Sequence, residues 1–353
     1  MDDPEVAIHR LQETPEERAE RFRNNLQELW TEFWYDLVNL LPELPTLFCS
    51  SSISDSPSHD PPKFPTYLFR VYDEKSRGIN NESIFASGAS QNTRPIDRQD
   101  LLSVEGSGPA EELARHLSYD RSRPTNLISW TSSLLCAIQC ARWRWGYLGS
   151  IPERIFICMV DTRKFSQDQF RRDEWLVAHL QEQAEGPKTF ENFFKHRRDG
   201  FDNGEYLSQG VMFHKGRSCI MSLKDLFDSG LCDLYPAFRG PSIKWALVVR
   251  MLRDHGKLPS ALTAGHVATA LRIAEACFRP FQQLDAVIII LTMCERSSVH
   301  VSPSTWTPLE VDRCYAVLEV LYSGDRWLAL RRDNALRSDK LIDFLEAQKM
   351  MGK

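Results

Sequence analysis

Short runs of β-favouring residues, separated by helical stretches, fill the middle of this chain and stop at Pro241. The clearest run is Arg154-Ile155-Phe156-Ile157-Cys158-Met159-Val160. Its branched and aromatic side chains crowd a helix but pack well on a pleated surface. Thr66 to Tyr72, Leu127 to Trp130, Glu205 to Phe213 and Arg217 to Met221 read the same way. Between them the apolar spacing predicts helices over Glu111 to Leu117, Ser133 to Arg144 and Leu223 to Ser229, the last ended by Gly230. Several short strands with few helices predict an α+β domain on a mixed or antiparallel sheet.

The flanks differ from this core. Residues 16–41 carry Phe22, Leu26, Leu29, Phe33, Leu37 and Leu40 at spacings of three and four, with Trp30 and Trp34 broadening the stripe. An amphipathic helix is expected there, ended by Pro42 and Pro45. A Ser-, Pro- and Asp-rich stretch follows, whose composition is that of a flexible linker. After Pro241 only helical periodicity remains, over Ile243 to Arg253, Ala264 to Ala276 and Pro308 to Leu321, with a more charged stretch from Leu328 to Glu346. The expected organisation is an N-terminal helix in residues 1–48, a linker in 49–65, the α+β domain in 66–240 and a helical region in 241–353.

Composition narrows the function classes. Hydrophobic residues at 42% and charged residues at 26% are ordinary for a soluble globular protein. A net charge of -5 gives no general attraction to nucleic acid or to anionic lipid, so neither is an expected partner. No apolar run is long enough to predict a membrane span, and Met-Asp-Asp-Pro-Glu does not open a secretory signal. The nine cysteines are odd in number and scattered through apolar runs. That predicts free thiols in a reducing compartment, cytoplasmic or nuclear, and no zinc-ligand spacing predicts a metal.

Three segments carry chemistry. Leu68-Phe69-Arg70-Val71-Tyr72 sets one arginine in an apolar and aromatic strand. Ser129-Trp130-Thr131 ends a strand in hydroxyls and runs into a helix containing Ala137 and Ala141. Gly204-Glu205-Tyr206-Leu207 puts a carboxylate at the start of an apolar strand. An arginine can hold a pyrophosphate through its planar fork. A carboxylate can stabilise the positive charge that builds on a sugar when its glycosidic bond breaks. Each residue also has an ordinary reading. Arg70 could pair with Asp73, the hydroxyls could cap the helix after Ser133, and Glu205 could be an edge-strand charge. Glu174 is a competing carboxylate, ranked lower because Arg171, Arg172 and Asp173 precede it and suggest an exposed helix. His116 and His214 stand alone in sequence and read as ordinary polar residues.

The order Arg70, Ser129, Glu205 resembles the Arg–Ser–Glu class of ADP-ribosyltransferases over roughly residues 66–240. The same stretch is similar to an uncharacterised domain found widely in filamentous-fungal proteins. The resemblance implies an ADP-ribosyltransferase-like fold and NAD as substrate, cleaved at its nicotinamide bond by transfer or hydrolysis. It implies Glu205 as the group stabilising the ribosyl cation, with Arg70, Ser129, Trp130 and Thr131 around the dinucleotide. Two positions depart from the pattern. Trp130 stands where a smaller residue is usual, against the nicotinamide space. Asn203 stands where the family has the Glu or Gln that helps select the acceptor, so an arginine acceptor is not implied. The alternative is a catalytically inactive module on the same fold that binds a protein partner.

Overall fold

The structure is a computed structural model that describes residues 46–48, 64–91, 99–181, 189–198, 204–254, 264–281, 283–291 and 293. The helix expected over 16–41, most of the linker, and the helices expected over 308–321 and 328–346 lie outside the described residues. In chain order the elements begin with β1 (Tyr67–Tyr72), β2 (Ile79–Asn80), β3 (Ile84–Ala86), α1 (Gly108–Leu117), β4 (Leu127–Thr131) and α2 (Leu134–Leu148). There follow β5 (Phe156–Asp161), β6 (Arg171–Arg172), α3 (Asp173–Leu180), α4 (Glu191–Arg198), β7 (Glu205–Gln209), β8 (Val211–Phe213) and β9 (Ser218–Ser222). The described chain closes with α5 (Leu223–Asp228), α6 (Leu231–Leu234), α7 (Trp245–Asp254), α8 (Ala264–Cys277) and α9 (Gln283–Leu291).

The result is an α+β architecture with antiparallel sheets. One sheet has six strands in the order β6-β7-β4-β1-β5-β9, and a smaller one has three in the order β2-β3-β8. Every pair within them is antiparallel. The single run expected from Glu205 to Phe213 is broken at Gly210, whose φ of +63° suits glycine. The break sends β7 to the large sheet and β8 to the small one. Their backbones meet there, because Gly210 donates to the Asn126 carbonyl and its own carbonyl accepts from Ser87.

Side chains alternate across the large sheet and build a core on each face. On one face Tyr67, Phe69, Ile157, Met159 and Met221 pack with Leu134, Ile138 and Ala141 of α2 and with the apolar faces of α8 and α9. On the other, Leu68, Ile128, Trp130, Val160 and Tyr206 pack with Phe85 and Met212 of the small sheet. A third cluster joins Leu113 of α1, Leu176 and Val177 of α3, and Leu127 and Leu207 of the large sheet.

Local signals explain the helix ends. Ser133 caps α2 by accepting from the Cys136 amide, and Gly149 closes it in the left-handed region. Ser222 and Asp225 form a reciprocal capping box on α5. The described helices after Pro241 pack into the core. Tyr67 of β1 donates its hydroxyl to the Asp285 carboxylate of α9 at 2.6 Å, in a buried bond. Tyr235 donates likewise to the Ile290 carbonyl.

Candidate functional site

A cleft of about 600 Å³ opens along β1 and β4 and is walled by α2. Its origin lies in the sheet. β1 pairs with β5 along its whole length, from Tyr67 to Tyr72, but with β4 at one position, Phe69 opposite Thr131. Past that point the Arg70 guanidinium bridges the two strands in place of a ladder, donating from Nη1 to the Ser129 carbonyl at 3.1 Å. Nη2 and Nε donate to Asn80 Oδ1 at 2.7 and 3.2 Å, and the guanidinium lies over the Phe85 ring. Burial, with Arg144 adding like-charge repulsion, lowers the Arg70 pKa to about 10, which leaves it charged at neutral pH.

Arg70, Ser129 and Glu205 come from three neighbouring strands, and all three line the cleft. They do not share one sheet face. Thr131 sits opposite Phe69 on one side and opposite Glu205 on the other, so these three point the same way. Arg70, next to Phe69, leaves its strand on the opposite face, where its guanidinium meets Asn80 and the Phe85 ring. Glu205 is only 6% exposed. The preceding Gly204 has a φ of +61°, and a Cβ there would meet Ser132 Oγ at 2.1 Å. That close approach fixes the start of β7, and with it the position of Glu205.

The Ser129 hydroxyl meets a residue that sequence reading set aside. His116, near the end of α1, lies 2.8 Å from it through Nε2. Its Nδ1 lies 2.7 Å from the Thr125 hydroxyl, so the ring is held at both nitrogens. Burial, then the Arg70 charge, pushes the His116 pKa down to about 4, and the imidazole is neutral at pH 7. Nothing within a few residues of His116 announces this, because Thr125 and Ser129 reach it only after the chain turns from α1 into β4.

Trp130 and Thr131 both border the cleft, but as neighbours on a strand their side chains leave on opposite faces. Thr131 lines the cleft beside Glu205. The Trp130 indole is 2% exposed in the opposite core, edge-on to Phe85 and Phe170, and donates to Ser208 Oγ at 2.9 Å. Ala137 of α2 lines the cleft, and Ala141 is fully buried behind it. The competing Glu174 sits exposed in the first turn of α3 beside Arg172 and does not line the cleft. Asn203 lies outside the described residues.

The cleft wall is strongly cationic in a chain of net charge -5. Arg70, Lys75, Arg77, Arg121, Arg123 and Arg144 line it against the carboxylates Asp120 and Glu205. Arg144 is neutralised by the buried Asp73 at 2.6 Å. Among the described residues no three His, Cys, Asp or Glu side chains gather as a metal site. No described helix is long and apolar enough to cross a membrane.

A family model described as a domain of unknown function (DUF7587) matches residues 63–210, which hold Arg70, His116, Ser129 and Glu205. No curated protein and no solved structure matches the chain.

Proposed function

We propose that the cleft binds NAD on an ADP-ribosyltransferase-like core and breaks its nicotinamide–ribose bond. What supports this reading above all is the convergence of Arg70, Ser129 and Glu205 from three adjacent strands onto one cationic cleft. Its volume suits a ligand of nucleotide size. As the C1′–N bond breaks, its electron pair leaves with nicotinamide and positive charge builds on the ribose. Glu205, nearly buried and fixed by Gly204, supplies the opposing charge in a site where water screens it little. An acceptor hydroxyl or water then adds to C1′ and gives up its proton to solvent water. The neutral His116 holds the Ser129 hydroxyl, which orients the sugar.

Arg70 takes a different part from the one its resemblance implies. Its donors are engaged by Ser129 and Asn80, so it sets the positive field at the cleft floor. The phosphates fall to the outer cations Arg77, Arg121 and Arg123. The same engagement, with Arg70 leaving its strand on the face opposite Glu205, is what favours the second reading, a module that has kept the cleft and lost catalysis.

The test is nicotinamide release from NAD by the full chain. Glu205→Gln keeps the shape and removes the charge, and the rate should fall by about a hundredfold or more. A wild type that releases nicotinamide no faster than its Glu205→Gln variant would refute the catalytic reading.

A further inference from the structure

The mouth of the cleft carries two exposed tyrosines among its cations, and neither is explained by the chemistry at Glu205. Tyr147 lies in the last turn of α2 and is 67% exposed. Trp143, one turn earlier, stacks on it with ring centroids 5.2 Å apart and planes 15° apart. One face of the phenol ring is thereby covered and its plane fixed, while the ring stays open to the cleft. The helix end beneath is held rigidly. Arg144 binds the buried Asp73, which also accepts from Ser150, and Lys75 donates to the Leu148 carbonyl. Tyr119 is 63% exposed just beyond α1, at a φ of +56° that side chains rarely adopt. Such a conformation is strained and persists only where its surroundings impose it. The loop that follows is pinned by Asp120, which accepts from the Ser122 amide and hydroxyl, and by Arg77, which donates to the Arg121 carbonyl. Both tyrosines line the same cleft as Arg121 and Arg123.

We infer that this mouth is a base-stacking subsite for the nucleoside-diphosphate end of the ligand, with the base on the Tyr147–Trp143 plate and the phosphates on Arg121 and Arg123. An aromatic plate fixed on a helix end suits the face of a nucleobase, and planar guanidinium forks suit a diphosphate. Asp120 is the carboxylate at the mouth among the described lining residues; the Ser122 amide and hydroxyl hold it, and the cations Arg77, Arg121 and Arg123 outnumber it there. The inference rests on the reading of the cleft as an NAD site and adds where the adenine end lies.

Calorimetric titration of the full chain with ADP and with inorganic pyrophosphate tests it. Tyr147→Ala should weaken ADP binding about tenfold and leave pyrophosphate binding unchanged, since base stacking on an aromatic ring is of that order. Tyr147→Phe should bind ADP like wild type. Arg121→Ala with Arg123→Ala should weaken both ligands. Wild type that does not bind ADP, or a Tyr147→Ala variant that binds it as tightly as wild type, overturns the inference. The two readings separate cleanly. Tyr147-dependent ADP binding without nicotinamide release leaves the subsite standing and refutes catalysis. Glu205-dependent release with ADP binding indifferent to Tyr147 does the reverse.

Discussion

Lowering the pH from 7 to 5 should destabilise this protein through its histidines before its carboxylates are much protonated. His214 is fully buried, stacked at 4.1 Å on Phe85, and donates from Nε2 to the Asn81 carbonyl. Burial, which outweighs that bond, pushes its pKa down from the ordinary 6.5 to about 4. The folded state therefore stays neutral at a pH where the unfolded chain has taken up a proton. Stability is complete above about pH 6.5 and is lost as the pH falls toward 4. At pH 5 the difference in proton binding amounts to about 2 kcal/mol for His214. His116 shifts the same way for the same reason, but its ring edges the open cleft, so roughly 1 kcal/mol is a fairer share. Urea unfolding at pH 7 and pH 5 should show wild type losing about 3 kcal/mol between them. In His214→Gln, which is neutral throughout, the loss should shrink to roughly 1 kcal/mol, and adding His116→Gln should nearly abolish it. The comparison is between pH values within each variant, so any fixed cost of the substitution drops out. A His214→Gln variant that loses as much as wild type would refute the argument.

Two further substitutions probe the packing. Tyr67→Phe deletes the buried hydrogen bond to the Asp285 carboxylate and should cost about 1.5–3 kcal/mol, read as a melting temperature lower by about 2–4 °C; an unchanged midpoint would show that the bond does not tie α9 to the sheet. Trp130→Ala should cost about 3–5 kcal/mol without raising NAD affinity, because the indole fills a core between Phe85 and Phe170; thermal shift with and without NAD reads both, and a gain in NAD binding would show that the indole does occlude the cleft.

The α+β class and most of its elements were legible because their residues announce themselves locally. Arg154 to Val160 has the β-rich composition that β5 requires, and Ser133 and Gly230 mark helix boundaries by their own side chains or lack of one. The small sheet was not legible. β2 has two residues and β3 has three, too short for any periodicity, and they are held by long-range pairing with β8. The break at Gly210 was hidden for a related reason, since glycine inside an apolar strand looks like a bulge until its two halves are seen in different sheets. At the site, the sequence put Arg70, Ser129 and Glu205 on three strands, and the sheet order makes those strands neighbours. The face each occupies depends on register across β4, and one position along a strand reverses it. Trp130 shows the same effect: beside Ser129 in sequence, it points to the other core.

The bond from Tyr67 to Asp285 joins residues 218 positions apart, and this has a consequence for how the protein is made. At roughly 5–20 residues per second, the ribosome delivers Asp285 on the order of 10–40 s after Tyr67. For that interval Phe69, Ile157 and Met159 lack the part of their cover that α8 and α9 provide. The nascent chain is then a client for any factor that shields apolar surface. The segment matched by the family model, residues 63–210, stops before β9 and both of those helices. Expressed alone it would keep that surface open indefinitely, so a soluble fragment must run at least through α9.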